Sequence, residues 1–320
     1  MSKTISTTAR ALSAVFAASL LWALMSAAPT ATWASGGCSQ ISPCSLVFTA
    51  DGQPADTTVN ATMTSVFNSQ PGPIKVEIVQ SGMLNATAKA AITLTITPTA
   101  NPGNGTLSGT TTVTTTGGIA SFSDLSIDQQ GFGYTLTATA RGIFSGTSNT
   151  FNIWGSFQQC STPPCSASQS SATTTGTVTT SSAAPGQLLG TAIGGINYSC
   201  GGAYKPLSDP FAFDILSTSG QTQPGAQFSA VLRIDKPVVQ SSGHPGASTW
   251  QICYAAPHQT PLPSWASGTA TIGDITYDTG LLPDCSNTTP VPPCVQARNK
   301  DNAGDVLVTF LASGDPFVKG

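Results

Sequence analysis

The chain has 320 residues, enough for two domains, yet only 8% of them are charged, against about 25% in an ordinary domain. Lys and Arg number 11 and Asp and Glu 14, a formal net charge of −3. No basic patch is present to neutralise phosphates, which argues against nucleic acid as a partner and leaves surface polarity to Thr, Ser, Asn and Gln.

The first residues read as an export signal. Lys3 and Arg10 supply a basic start to an apolar run over 11–28, centred on Leu20, Leu21, Trp22 and Leu24. Thr32-Trp33-Ala34 puts small residues where a signal peptidase reads, so the cut is expected after Ala34. A membrane anchor and a lipoprotein cut before Cys38 are the alternatives. The apolar run is short for the first, and Ser35 stands where the second wants a Leu-like residue. No second long apolar segment follows, so no membrane association is expected after cleavage.

All eight cysteines lie beyond Ala34. An even set in an exported chain reads as disulfides. Eight cysteines allow 105 connectivities, and spacing favours sequential pairs: Cys38–Cys44, Cys160–Cys165, Cys200–Cys253 and Cys285–Cys294. There is no Cys-x-x-Cys, and only His244 and His258 could assist, so neither metal nor cofactor is expected.

Residues 35–72 form a Cys-containing lead, with "SLVFTA" and "NATMTSVFN" expected as one or two edge strands. "IKVEI" (74–78) and "AITLTIT" (91–97) alternate with period two, turning Ile74, Val76, Ile78, Ile92, Leu94 and Ile96 to one face each. "GTTTVTTTGG" predicts a strand ending in a Gly-Gly turn. In "IASFSDLSI" the apolar phase shifts between Phe122 and Leu125, which predicts a bulge or bend near Asp124. "DQQGFGYTLTATA" holds a Gly-x-Gly, but a phosphate cradle needs a helix after its glycines. Residues 134–140 alternate as a strand instead. Gly131 and Gly133 are therefore expected in a tight positive-φ turn, with Tyr134 at a corner where its hydroxyl bonds back to the upstream backbone. "TSNTFNIW" closes the set.

The order "GTLSGTTTVTTTGGIASFSDLSID", "GFGYTLTATARG" and "SNTFNI" within residues 73–153 resembles the bacterial immunoglobulin-like domains of invasin-type and other secreted surface proteins. The resemblance implies an Ig-like β-sandwich serving as a spacer, stalk or adhesive unit, and carries no binding residues with it. Residues 154–171 read as a Ser/Pro/Cys linker. Residues 172–320 resemble only uncharacterised exported bacterial proteins, but offer seven short candidate strands between turn signals. The expected fold is all-β: an Ig-like sandwich followed by a second disulfide-bonded β-sandwich or barrel domain.

Candidate chemistry is sparse. His244 and His258 sit in Gly/Pro loops, and no Gly-x-Ser-x-Gly elbow accompanies them. The single glutamate, Glu77, points outward; Asp274 and Asp278 on one hairpin are candidates for a paired-acid or calcium role against ordinary turn and strand-end hydrogen bonding, and Asp124 and Asp128 are calcium candidates lacking a dense ligand spacing. Trp250, Ile252 and Tyr254 share one strand face and are expected in the core. Trp265 in "LPSWASG" is the expected exposed ligand contact, able to stack on a sugar face. The Thr ladders read as β propensity rather than an ice-binding array. The expected function is secreted, non-enzymatic binding or adhesion, with a cell-wall or extracellular glycan, or a protein, as partner. An extracellular hydrolase with its site in the second domain, or a self-assembling surface protein, are the alternatives.

Overall fold

The computed structural model describes residues 37–67, 70–162, 164–180, 187–194, 198–201, 204–216, 227–272, 275–286, 291–313 and 317–319. The export signal at residues 1–34 and Asp274 lie outside them. The architecture is all-β, and alternation explains its main sheets. In the first sandwich the main sheet runs Ile119–Phe122, Ile74–Gln80, Cys44–Phe48, Ile143–Thr147, Leu136–Ala140, Ala91–Ile96, Thr112–Thr114. Its two ends meet at the Gly117–Gly118 turn, both glycines at positive φ, where Thr116 and Ile119 bridge. A three-stranded sheet of Gly131–Tyr134, Phe151–Trp154 and Thr57–Thr58 lies with it, as does the pair Leu107–Ser108 and Ser126–Ile127. Ile74, Val76, Ile78, Ile92, Leu94, Phe122 and Tyr134 fill the core.

Two expectations change here, at the lead and at the Gly-x-Gly. The lead at 35–72 is not only edge. Cys44–Phe48 lies mid-sheet, antiparallel to Ile74–Gln80 and parallel to Ile143–Thr147, because Cys44, Leu46 and Phe48 supply a buried face. Thr57–Thr58 does sit at an edge, and beside it Asp56 accepts from the backbone and side chain of Asn152 (2.7 and 2.9 Å) and from Trp154 Nε1 (3.1 Å). The first sandwich therefore includes the lead. Near Asp124 the expected bend is present, and the chain changes sheets there: the strand stops at Phe122 and resumes at Ser126 against Leu107–Ser108. At the Gly-x-Gly, the strand begins at Gly131 rather than at Tyr134. Only Gly133 has positive φ, 85°, at a register irregularity. Gly131 is needed for space, since a Cβ there would lie 2.9 Å from the Tyr134 ring. The Tyr134 hydroxyl donates to the Gln129 carbonyl at 3.0 Å. Tyr134→Phe is expected to lower stability by about 1 kcal/mol, read as a shift in the urea midpoint at unchanged slope.

The second sandwich pairs a seven-stranded sheet with a five-stranded one. The larger runs Ser156–Cys160, Gln187–Ile193, Phe211–Leu216, Phe317–Lys319, Cys253–Pro257, Ile275–Leu281, Gly268–Ile272. The smaller runs Cys165–Ser170, Thr174–Thr180, Gln227–Ile234, Val306–Ser313, Cys294–Lys300. The linker expected at 154–171 is thus absent. Ser156–Cys160 opens one sheet and Cys165–Ser170 opens the other, with the Cys160–Cys165 disulfide joining them at the corner. Small Ser and Ala side chains suggested flexibility, yet Cys165 and Ala167 alternate inward. The second domain starts near Ser156, not at 172.

Other boundaries move too. Ala247–Thr249 forms a 3₁₀ turn, so Trp250 and Ile252 precede the strand, which starts at Cys253. One helix, Lys236–Ser241, escapes sequence periodicity because it is a turn and a half long. Gly176 faces the core, and a Cβ there would penetrate the Phe211 ring, itself packed 5.4 Å from the Phe213 ring. Gly176→Ala is expected to cost about 2–3 kcal/mol through overpacking, visible as a lowered thermal midpoint.

The two sandwiches share a wall. Phe132 and Trp154 of the first meet edge to face at 5.0 Å. They join one buried cluster with Ala192, Ala212, Ala255, Tyr198 and Tyr277 of the second. Small residues on the outer face of the large sheet leave room for these rings, and Gln130 Nε2 donates to the Ile193 carbonyl.

Candidate functional site

All four disulfides are the sequential pairs. Such a set belongs to a chain that matures in an oxidising compartment. Among the described residues, no helix is long and apolar enough to cross a membrane.

The Cys200–Cys253 bond lines a cleft of about 510 Å³ in the second sandwich. One wall is the loop carrying Ser199, Tyr204, Lys205 and Leu207. That loop is tied to the strand Cys253–Pro257 by the disulfide and by the Tyr198 hydroxyl, which donates to the Cys253 carbonyl at 2.9 Å. The opposite wall follows the helix: Ser242, His244, Thr249, Trp250 and Gln251. Its backbone is pinned from below. Trp250 Nε1 donates to the His244 carbonyl at 3.2 Å, Arg298 donates to the Trp250 carbonyl at 2.5 Å, and Lys300 donates to the Pro245 carbonyl at 3.3 Å. Trp250 is 5% exposed and Tyr204 is 56% exposed, so the first is packed into the core and the second is offered to solvent.

Asp305 fixes the helix that leads into this wall. Its carboxylate accepts from the Lys236 backbone at 2.8 Å and from the Arg233 guanidinium. The Lys236 amide first, and Arg233 second, hold its carboxyl below the ordinary 3.8. A depressed folded value contributes stability above the unfolded value and loses it as pH falls through the folded one. Asp305→Asn is expected to flatten the stability profile below about pH 4 and leave its slope above about pH 5 unchanged. Urea unfolding across that range measures it.

The candidate residues distribute as follows. His244 lines the cleft. His258 does not; its Nδ1 lies 2.5 Å from Asp278 Oδ1, whose side chain is fully buried, and Asp278 Oδ2 accepts from the Gln259 backbone at 2.9 Å. The pair tethers the start of the loop at 258–267 to the strand Ile275–Leu281. The proposed partner of Asp278, Asp274, is outside the described residues. Trp265 is not an exposed platform: it is half-buried and packs edge to face on Tyr254 at 5.0 Å, because the tethered loop folds inward. Trp250, Ile252 and Tyr254 are core. Asp124 accepts from Thr110 N (3.0 Å) and Oγ1 (2.7 Å), and Asp128 from Thr106 N (2.6 Å), so both carboxylates clip neighbouring backbone. Across the Thr ladders the hydroxyls bond one another, Thr93 to Thr112 at 2.9 Å and Thr97 to Thr137 at 2.8 Å.

Sequence reasoning missed Tyr204 and Lys205. The signal available was their place in "CGGAYKPLSDP", an aromatic and a cation held in a Gly/Pro loop next to a half-cystine. No family model, curated protein or solved structure matches the chain.

Proposed function

We propose that this chain is an exported, non-enzymatic binding or adhesion protein of the bacterial surface or extracellular space. In this reading the first sandwich, an Ig-like module, presents the second, and the cleft lined by residues 199–201 and 204–207 on one side and by residues within 242–251 on the other recognises an extracellular glycan. The observation that carries it is the exposed Tyr204 ring beside hydroxyl, amide and imidazole groups in a disulfide-fixed frame. An aromatic face supplies apolar contact for a sugar ring, and the polar groups fix its orientation.

Binding of the chain from Ser35 to Gly320 to purified cell walls and a glycan array tests the reading. Saturable binding is expected, with Tyr204→Ala about tenfold weaker. No binding to any wall or glycan would sink it. The hydrolase reading draws on one observation, the His258–Asp278 pair. If that pair is a loop tether, His258→Ala leaves glycan binding intact and increases proteolytic nicking within 258–267. Loss of a measured hydrolytic activity in the same variant would favour the enzyme instead.

A further inference from the structure

We infer that the cleft selects an acidic saccharide, one carrying a carboxylate, over its neutral counterpart; this rests on the glycan-binding reading above. The chain has more acidic than basic residues, so a site placed at random would be lined by carboxylates at least as often as by cations. The cleft shows the reverse. Its described lining contains Lys205 and His244 and no Asp or Glu. Of the two cations behind the 244–251 wall, Arg298 is paired with Asp284 at 2.6 Å, and both Arg298 and Lys300 donate to backbone carbonyls of that wall. Asp284 is engaged by Arg298 and is not among the described lining residues of the cleft. Lys205 thus faces a cleft with no acid of its own to answer it.

The neighbouring groups say what kind of anion fits. Tyr204, adjacent in sequence to Lys205, is 56% exposed and offers a flat ring, while Ser199, Ser242, Thr249 and Gln251 offer hydrogen bonds to neutral hydroxyls. A bare inorganic anion would use the lysine and waste the ring. A sugar acid uses both: the ring stacks on its C–H face, the lysine meets its carboxylate and the hydroxyl-bearing side chains meet its hydroxyls. A volume of about 510 Å³ accommodates a short oligosaccharide segment rather than a protein surface.

The test is calorimetric titration of the chain from Ser35 to Gly320 with tetragalacturonate, a hyaluronan tetrasaccharide and sialyllactose, each beside its methyl ester. At least one acid is expected to bind about tenfold tighter than its ester at low salt, the difference shrinking in 0.5 M NaCl. Lys205→Gln is expected to erase that difference while keeping the ester's affinity, and Tyr204→Ala to weaken both. Lys205 is exposed, so Lys205→Gln is not expected to perturb folding, and an unchanged thermal midpoint checks this. Equal binding of acid and ester overturns the acidic preference and leaves glycan binding standing. Binding of an acidic peptide such as tetra-glutamate at the same cleft, with no saccharide bound, overturns both.

Discussion

Replacing Cys200 and Cys253 together by alanine is expected to lower unfolding free energy by about 4 kcal/mol and to abolish cleft binding. The bond spans a sequence separation of 53, so its removal restores substantial chain entropy to the unfolded state. The folded state suffers separately. The loop that carries Tyr204 and Lys205 reaches the large sheet through this bond and the Tyr198 hydroxyl, and one neutral hydrogen bond contributes only about 1 kcal/mol. Urea unfolding measures the first effect and glycan titration the second. A stability loss under about 1 kcal/mol would show that the bond closes no loop the fold depends on. Unchanged ligand affinity would show that it does not hold the cleft. The Cys38–Cys44 pair makes a control: it closes a separation of only 6, in the first sandwich, and its removal is expected to leave the cleft untouched.

Trp154→Ala is expected to cost about 4 kcal/mol, the order seen for deleting a buried aromatic. Trp154 is 3% exposed, meets Phe132 and Phe157 at 5.0 and 6.0 Å, and donates to Asp56. Its loss opens a cavity in the shared wall and takes a donor from a carboxylate whose other partners hold the Phe151–Trp154 strand. Calorimetry on the native chain is expected to show one transition, because the wall couples the sandwiches, and on the variant two. A single unshifted transition in Trp154→Ala would mean the wall carries little of the coupling. Since the second sandwich begins at Ser156, two residues after Trp154, truncations meant to isolate it must keep Ser156; a cut at Ala172 would remove one edge strand from each sheet.

Much of the fold was legible because a β-strand writes its burial into every second residue. Ile74, Val76 and Ile78, or Ile92 and Leu94, need only local pattern to be placed inward, and all are buried. The disulfides follow the same logic of proximity for the close pairs, 5 to 9 apart in sequence. Composition misled where small residues did structural work. The run 156–170, rich in Ser, Gln and Pro, reads as linker because nothing in it looks like core, yet it supplies an edge strand to each sheet.

The candidate site was the least legible part. Trp265 was singled out because a tryptophan in a Pro/Ser loop looks exposed. Its real environment depends on Asp278, thirteen residues later, drawing His258 and Gln259 inward and folding the loop over Tyr254. Tyr204, in a loop of similar composition held by the Cys200–Cys253 bond, stays in solvent. The sequence alone therefore determined the all-β class, the alternating faces, the low charge and the cysteine set, since each is a property of single residues or near neighbours. Only the tertiary structure decided which aromatic stays exposed, that Lys205 and His244 line one cleft, and that the sandwiches share a wall. Those depend on contacts between residues tens of positions apart, whose geometry no local period encodes.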